Sequence, residues 1–189
     1  GAGTQTPLFS RTEPGGMFTI VDVREHPGLV WFVDSAAAGA GDTVGHGRNP
    51  DKPFATLGYA FSSDLVAAGD TVYGLPGHSE TLAAAIAADI AGVKVVGLGE
   101  GNKRPTFVGG AIDYISISAD DITIEGLVFT TPTAASGTQV NIAAARVTVR
   151  RCRFNLGANI LDAVTITAAG ELPTLEDNEV VVSADGPDS

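Results

Sequence analysis

Short bursts of alternating apolar and polar residues recur along the chain from Asp70 onward. Five segments fit one frame: Asp70–Leu75 (DTVYGL), Val93–Leu98 (VKVVGL), Ile122–Phe129 (ITIEGLVF), Val147–Phe154 (VTVRRCRF) and Pro173–Val180 (PTLEDNEV). The frame reads apolar, polar, apolar, polar, turn, small or apolar, polar, apolar. Alternation of this kind marks a half-buried strand. Its central residues, Val72, Val95, Ile124, Val149 and Leu175, are 23, 29, 25 and 26 positions apart. A second alternating run precedes the later copies: Ile115–Ser118, Val140–Ala143 and Val164–Thr167. Its apolar residues Ile117, Ile142 and Ile166 are 25 and 24 apart.

A unit of short strands every 23–29 residues, with no helical run between them, has few physical realisations. A βαβ crossover needs a helix, and the leucine-rich framework is absent. The simplest solution is a parallel β-solenoid with one coil per unit. Equivalent strands then stack at about 4.8 Å, and the inward Val, Ile, Leu and Phe residues form a narrow core. Gly74, Gly97 and Gly126 fall at the fifth position of the frame, where a corner is expected.

Upstream the pattern differs. Residues 1–16 (GAGTQTPLFSRTEPGG) carry little apolar area and read as an extended arm. Pro7, Leu8 and Phe9 are its one cluster able to dock on a partner. Met17–Val23 and Leu29–Ser35 read as the strands of a hairpin around a His-Pro-Gly turn. Residues 36–53 form a long Gly/Pro/Asp loop, of a length usually tied to function or motion. Thr56 suits a helix N-cap, Leu57, Ala60, Phe61 and Leu65 follow at helical spacing, and Gly69 suits the C′ position. That spacing predicts a helix of about three turns. The chain thus divides into an arm (1–16), a hairpin, loop and capping helix (17–69) and the solenoid (70–189).

At this point the sequence resembles a family. The stretch VDSAAAGAGDTVGHGRNPDKPFATLGYAF followed by GDTVYGLPG is similar to the opening of right-handed parallel β-helix proteins of the pectin-lyase-like class. The resemblance spans about Trp31 to Val182. It implies an all-β, right-handed parallel β-helix of four to five coils, with a helix plugging its N-terminal end. It says little about activity, because this scaffold serves lyases, hydrolases, phage tailspikes and passive virion proteins.

Charge narrows the function. Twenty-two acidic residues face eleven basic ones, a net charge of −11, which argues against binding nucleic acid or anionic membranes. No stretch is long and apolar enough to span a bilayer. The single cysteine, Cys152, cannot form an internal disulfide and takes an inward position, as a small buried side chain.

Against that acidic background, Arg150, Arg151 and Arg153 sit within four positions. The repeat aligns them with acids one coil later: Arg150 with Glu176, Arg151 with Asp177, Arg153 with Glu179. Glu125, one coil earlier, also aligns with Arg150. The expectation is a structural ion ladder that fixes register, in preference to an anion-binding patch.

Other candidates for chemistry read as structural. Asp120 and Asp121, with Glu125 and Asp113 near in sequence, form the best acidic cluster, yet Asp is a common turn former. Asp34, Asp42 and Asp51 in the long loop read as loop caps, with Ca²⁺ held by backbone carbonyls as the alternative. His26, His46 and His78 lie in loops, without metal-ligand spacing, and read as exposed. Within the coils, Tyr73 and Tyr114 are the outward aromatic candidates, few for a sugar-binding groove. Asn178 aligns with Cys152 and is expected to cap its turn. Gly97–Pro105 lacks the Gly-Lys-Ser/Thr of a phosphate loop.

The reading is therefore a protein with no catalytic, cofactor or metal residues assigned. By analogy with β-helix virion proteins, the expected role is a capsid decoration protein of a tailed phage, binding the capsid shell through its arm. No capping helix follows the last coil, so that end is expected to be covered by the tail or another subunit. Assembly as a homotrimer follows by the same analogy. The alternative is a carbohydrate-active lyase or hydrolase, or a glycan-binding domain of the tailspike or adhesin kind.

Overall fold

The computed structural model describes residues 9–11, 18–20, 28–109, 112–131, 137–157, 162–167 and 169–182. Near the N-terminus, β1 (Phe9–Arg11) and β2 (Phe18–Ile20) pair antiparallel. β3 (Val30–Val33) and a short helix, α1 (Leu57–Ser62), precede the coils. The first coil consists of β4 (Thr71–Gly74), β5 (Ser79–Thr81) and β6 (Ile86–Ala88). The second holds β7 (Lys94–Gly97), β8 (Thr106–Val108) and β9 (Ile115–Ile117), and the third β10 (Thr123–Glu125), β11 (Val128–Thr130) and β12 (Val140–Ile142). The fourth is β13 (Thr148–Arg150), β14 (Arg153–Leu156) and β15 (Val164–Ile166). β16 (Thr174–Glu176) and β17 (Glu179–Val182) begin a fifth.

These strands form three parallel sheets, one per side of the coil. The first runs β3, β4, β7, β10, β13, β16; the second β5, β8, β11, β14, β17; the third β6, β9, β12, β15. The fold is a parallel β-helix, and its register is the one the repeat dictates. Val72 pairs with Val95, Val95 with Ile124, Ile124 with Val149 and Val149 with Leu175. Ile117, Ile142 and Ile166 align in the third sheet. In the second, Phe107, Phe129 and Phe154 stack with ring centroids 5.9 and 5.3 Å apart.

Uneven coil lengths are absorbed in the corners. Gly126 and Leu127 alone join β10 to β11, whereas residues 98–105, with a 3-10 turn at Gly101–Lys103, join β7 to β8. This insertion explains the 29-residue separation. It also makes Thr106, beyond the insertion, the residue stacked beside Val128.

A second repeat lies in the backbone. Gly69, Gly92, Asp121, Arg146 and Leu172 all have left-handed φ, from +83° down to +52°. Their spacing copies that of the core column. A left-handed corner costs glycine little and other residues about 1–2 kcal/mol. The later coils accept that cost, so glycine marks only the first two corners.

Two expectations upstream are corrected. Met17–Val23 and Leu29–Ser35 do not form a hairpin: β2 pairs with β1, and β3 pairs in parallel with β4. Asp70 explains the second pairing. Buried beside β4, its carboxylate accepts from Leu29 N (2.6 Å), Trp31 Nε1 (2.7 Å) and Ala67 N (2.9 Å), tying β3 into the first sheet. The helix is also shorter than three turns. Thr56 caps it by accepting from Tyr59 N at 3.1 Å. After Ser63, however, Asp64 turns left-handed (φ +57°) and ends it, and Gly69 belongs to the turn before β4.

α1 packs on β6, and its Leu57, Ala60 and Phe61 join Trp31 and Phe54 in the core, closing the N-terminal end. At the other end, Leu175 and Val180 are 48 % and 54 % exposed although they continue the buried core columns. The position of a residue in its column should therefore set its energetic weight. Ile124→Ala, in the middle, is expected to cost about 2–5 kcal/mol, and Leu175→Ala, at the open end, less than about 1 kcal/mol. Urea denaturation of both variants checks this; equal losses would contradict the stacking.

Candidate functional site

The densest charge cluster lies at the corner between the first and second sheets, on coils three to five. β10 presents Glu125 and β13 presents Arg150 as direct neighbours, and β16 adds Glu176. The arginine turns toward the earlier coil. Arg150 Nη2 and Nε lie 2.6 and 2.8 Å from Glu125 Oε2, and Arg151 pairs with Glu125 Oε1. The cause is the surroundings of the two acids. The Glu125 side chain is only 11 % exposed, so its attraction for a guanidinium is weakly screened. Glu176 and Asp177 lie exposed on the last coil, where an ion pair contributes little.

The expected rungs Arg150–Glu176 and Arg151–Asp177 are thus replaced by a hub at Glu125. Of the three forward rungs only Arg153–Glu179 forms, at 3.6 Å between half-exposed groups. Arg153 Nε also donates to Asn155 Oδ1 at 2.9 Å. Arg151 and Asp177 occupy the corner with left-handed φ (+52° and +49°), in the place that Gly126 holds one coil earlier.

Arg104, which pattern reasoning passed over, completes the corner. From the inserted loop it donates through Nε to Gly126 O (3.1 Å) and through Nη2 to Leu127 O (3.3 Å) and Arg151 O. Its only sequence signal is the long insertion that carries it. Beside it opens a groove of about 770 Å³ whose charged lining is Glu100, Arg104, Glu125, Arg151, Asp177 and Glu179. Among the described residues, none that lines it is aromatic. Beneath it, Cys152 is buried, and desolvation pushes its thiol pKa up to about 11, which keeps it protonated and a poor nucleophile at neutral pH. Asn178 caps this turn as expected, accepting from Cys152 N (2.9 Å) and donating to Val149 O (2.8 Å).

The acidic cluster at the opposite corner of the first sheet is also committed to structure. Arg146, one coil later, binds Asp121 through both carboxylate oxygens (2.7 and 2.9 Å) and reaches Asp120 at 3.1 Å. The hydrogen bond from Arg146 holds the Asp121 carboxyl below its ordinary pKa. Asp120 also accepts from Ala145 N at 2.9 Å. Asp113 accepts from Thr138 N (2.8 Å) and Asn141 Nδ2 (3.2 Å). None of these acids shares a site with Glu125.

In the long loop, Asp42 accepts from Ala55 N, Thr56 N and Thr56 Oγ1 at 2.8–3.1 Å, fixing the approach to α1. Asp34 accepts from Ala36 N at 2.9 Å. Among the described residues, no three His, Cys, Asp or Glu side chains come together as a metal set, so Asp34, Asp42 and Asp51 do not converge.

Two expected surface residues are buried. His78 is 1 % exposed: its Nδ1 accepts from Ser35 N (3.0 Å), and its Nε2 stands 3.5 Å from Glu80 Oε2, which in turn accepts from Leu57 N at the start of α1 (2.9 Å). Tyr114 is also buried. Its hydroxyl lies 3.0 Å from Thr130 O and 2.7 Å from Thr131 Oγ1, where it ties two coils at a corner. Tyr73 remains partly exposed and stacks on Phe32, at 6.1 Å. His46 meets Thr43 Oγ1 at 2.9 Å, and His26 lies outside the described residues.

Of the docking arm, Pro7 and Leu8 lie outside the described residues and Phe9 begins β1. Among the described residues no helix is long and apolar enough to cross a membrane. Comparison with protein-family models, curated proteins and solved structures gave no match.

Glu125, rather than its later counterparts, should govern the stability of this corner. Glu125 is the nearly buried member of the cluster, and its loss removes charge-assisted hydrogen bonds to two half-exposed arginines. Glu125→Ala is expected to cost about 1–3 kcal/mol, while Glu176→Ala and Asp177→Ala stay within about 0.5 kcal/mol. Thermal melts of the three variants decide; a larger loss from Glu176→Ala would restore the forward ladder.

Proposed function

We propose that the chain is a non-enzymatic structural protein of a virion, a decoration protein on the capsid of a tailed phage. The observation that carries this reading is how the ionisable clusters are used. Glu125, Asp120, Asp121, Asp42 and Asp70 each bind backbone amides or arginines of this same chain, as a scaffold requires. A net charge of −11 suits a soluble surface protein that avoids nucleic acid and anionic membranes. The N-terminal arm with its β1–β2 pair, separate from the three sheets, suits attachment to a shell. Homotrimeric assembly is part of the proposal, by analogy with other β-helix virion proteins.

A second reading has one observation in its favour. The open groove beside Arg104 and Arg151 runs along a flank of the β-helix and carries several carboxylates, as a glycan site would. The lack of an aromatic lining weighs against it.

Co-sedimentation with empty phage shells tests the first reading. The intact protein is expected to pellet with shells, and Phe9→Asp to remain in the supernatant. Equal pelleting of the two would remove the arm from the account. Turnover of an acidic polysaccharide, lost in Arg151→Ala, would replace the structural reading with the glycan one.

A further inference from the structure

Each strand of the second sheet starts just after a corner residue. Those residues are His78, Pro105, Leu127, Cys152 and Asn178, and the carbonyl of each of the first four accepts from the strand one coil on. They make one column at the edge of the core. The neighbouring column runs Glu80, Phe107, Phe129, Phe154 and Val180. Both columns are thus polar in the first coil and apolar in the next three.

The two polar residues hold both ends of the long loop. His78 Nδ1 accepts from Ser35 N (3.0 Å), just before residues 36–53, and Glu80 Oε2 accepts from Leu57 N (2.9 Å), just after them. His78 Nε2 stands 3.5 Å from the same Glu80 oxygen. The His78 side chain is 0 % exposed, and among the described residues its Nε2 has no hydrogen-bond partner.

This geometry fixes the proton. A backbone amide always donates, so Nδ1 is the bare nitrogen and the neutral ring carries its hydrogen on Nε2. A second proton can go only to Nδ1, where it would face the Ser35 N–H. Ser35 must then leave. At Nε2 the charged ring gains, because a hydrogen bond between charged groups is stronger than a neutral one. Glu80 needs only to close the gap. The other groups packed around the ring do not compete. Phe107 of β8 meets its edge, with ring centroids 5.4 Å apart, and Leu57 and Gly58 of α1 are uncharged. Asp34 accepts from Ala36 N, Arg104 holds the carbonyls of Gly126, Leu127 and Arg151, and Lys103 is exposed.

We infer that His78 is a pH-operated latch on the start of the long loop. With the ring neutral, the latch holds Ser35 against β5. With the ring protonated, His78 turns to Glu80 and Ser35 comes free. Ser35 Oγ donates to Ser79 O (2.7 Å) and accepts from Ser79 N (3.1 Å), but both bonds are exposed and compete with water. The release stays local, because Asp34 N still donates to Phe54 O (2.9 Å) and Glu80 still holds Leu57. Imidazole is the side chain whose ordinary charge change falls between about pH 5 and pH 8. The inference stands independently of the virion reading.

Amide hydrogen exchange of the full chain tests it, read by NMR and corrected for the intrinsic effect of pH. From about pH 7.5 to about pH 5, protection of the Ser35 amide is expected to fall about tenfold or more. Protection at Phe54 and Leu57 is expected to hold within about twofold. His78→Asn is the control, because an amide oxygen does not take a proton in this range. Asn178 already serves in this column, its Oδ1 accepting from Cys152 N at 2.9 Å. In the variant, Ser35 is expected to keep its protection at both pH values. Unchanged protection of Ser35 in the unaltered protein, an equal fall in His78→Asn, or a parallel fall at Phe54 overturns the inference. Should His78→Asn fail to fold, nitrogen NMR of the unaltered ring decides. Nε2–H alone is expected at the higher pH and both nitrogens protonated at the lower. A hydrogen on Nδ1 at the higher pH, or a ring still neutral at the lower, refutes the latch.

Discussion

Register between coils is the constraint on which everything else in this protein depends. Each strand donates and accepts along its whole length to the equivalent strand one coil away, so the chain has no local way to satisfy its backbone. A slip of one residue would turn Ile124, Val149 and their neighbours outward and bring Thr and Arg positions into the core. The apolar columns and the backbone ladders therefore specify the same alignment, and neither is free to move without the other. Differences in coil length are tolerated because they fall in corners, as the loop at residues 98–105 shows.

The charged residues follow from that constraint. Stacking delivers Arg150 to Glu125 and Arg146 to Asp121 by geometry alone, since each pair is one coil apart. Burial then decides which of two stacked acids an arginine takes. Glu125, shielded by the coil above, gathers Arg150 and Arg151, while the exposed acids of the last coil do not. Among the described residues, a column lacks a neighbour at its first and last coil. At the N-terminal end the position aligned with Phe107 is Glu80, whose carboxylate takes the first amide of α1. At the C-terminal end the aligned positions are Leu175 and Val180, and they remain apolar.

Much of this was legible in the sequence because a parallel stack writes its period into the chain. The columns through Val72 and Ile117 could be read from spacing, as could the cap at Thr56 and the role of Asn178. What escaped was whatever depends on a partner distant in sequence and unlike in type. Asp70 reads as a turn residue, yet it binds Trp31 and fixes β3 as a parallel strand, where pattern alone suggested a hairpin. Arg104 reads as loop charge, yet it holds three carbonyls. Alignment named the right residues for the ion ladder and two of its pairs, Arg150 with Glu125 and Arg153 with Glu179. It also set Arg150 on Glu176 and Arg151 on Asp177, because alternation gives the side of a strand and not the depth of a carboxylate. Tyr114 and His78 were misjudged for a related reason: corners of a solenoid can be buried even when their sequence resembles a surface loop.

The most direct test of the stacking is a pair of engineered disulfides in a Cys152→Ser background. Thr123 and Thr148 are register partners in adjacent coils, and Thr174 lies one coil further. Adjacent strands stand about 4.8 Å apart, within reach of a disulfide, and strands two coils apart stand about 10 Å apart, beyond it. Under mild oxidation, Thr123→Cys with Thr148→Cys should close a bond within each molecule, and Thr123→Cys with Thr174→Cys should not. Closure of the second pair without the first would contradict the coil-on-coil register.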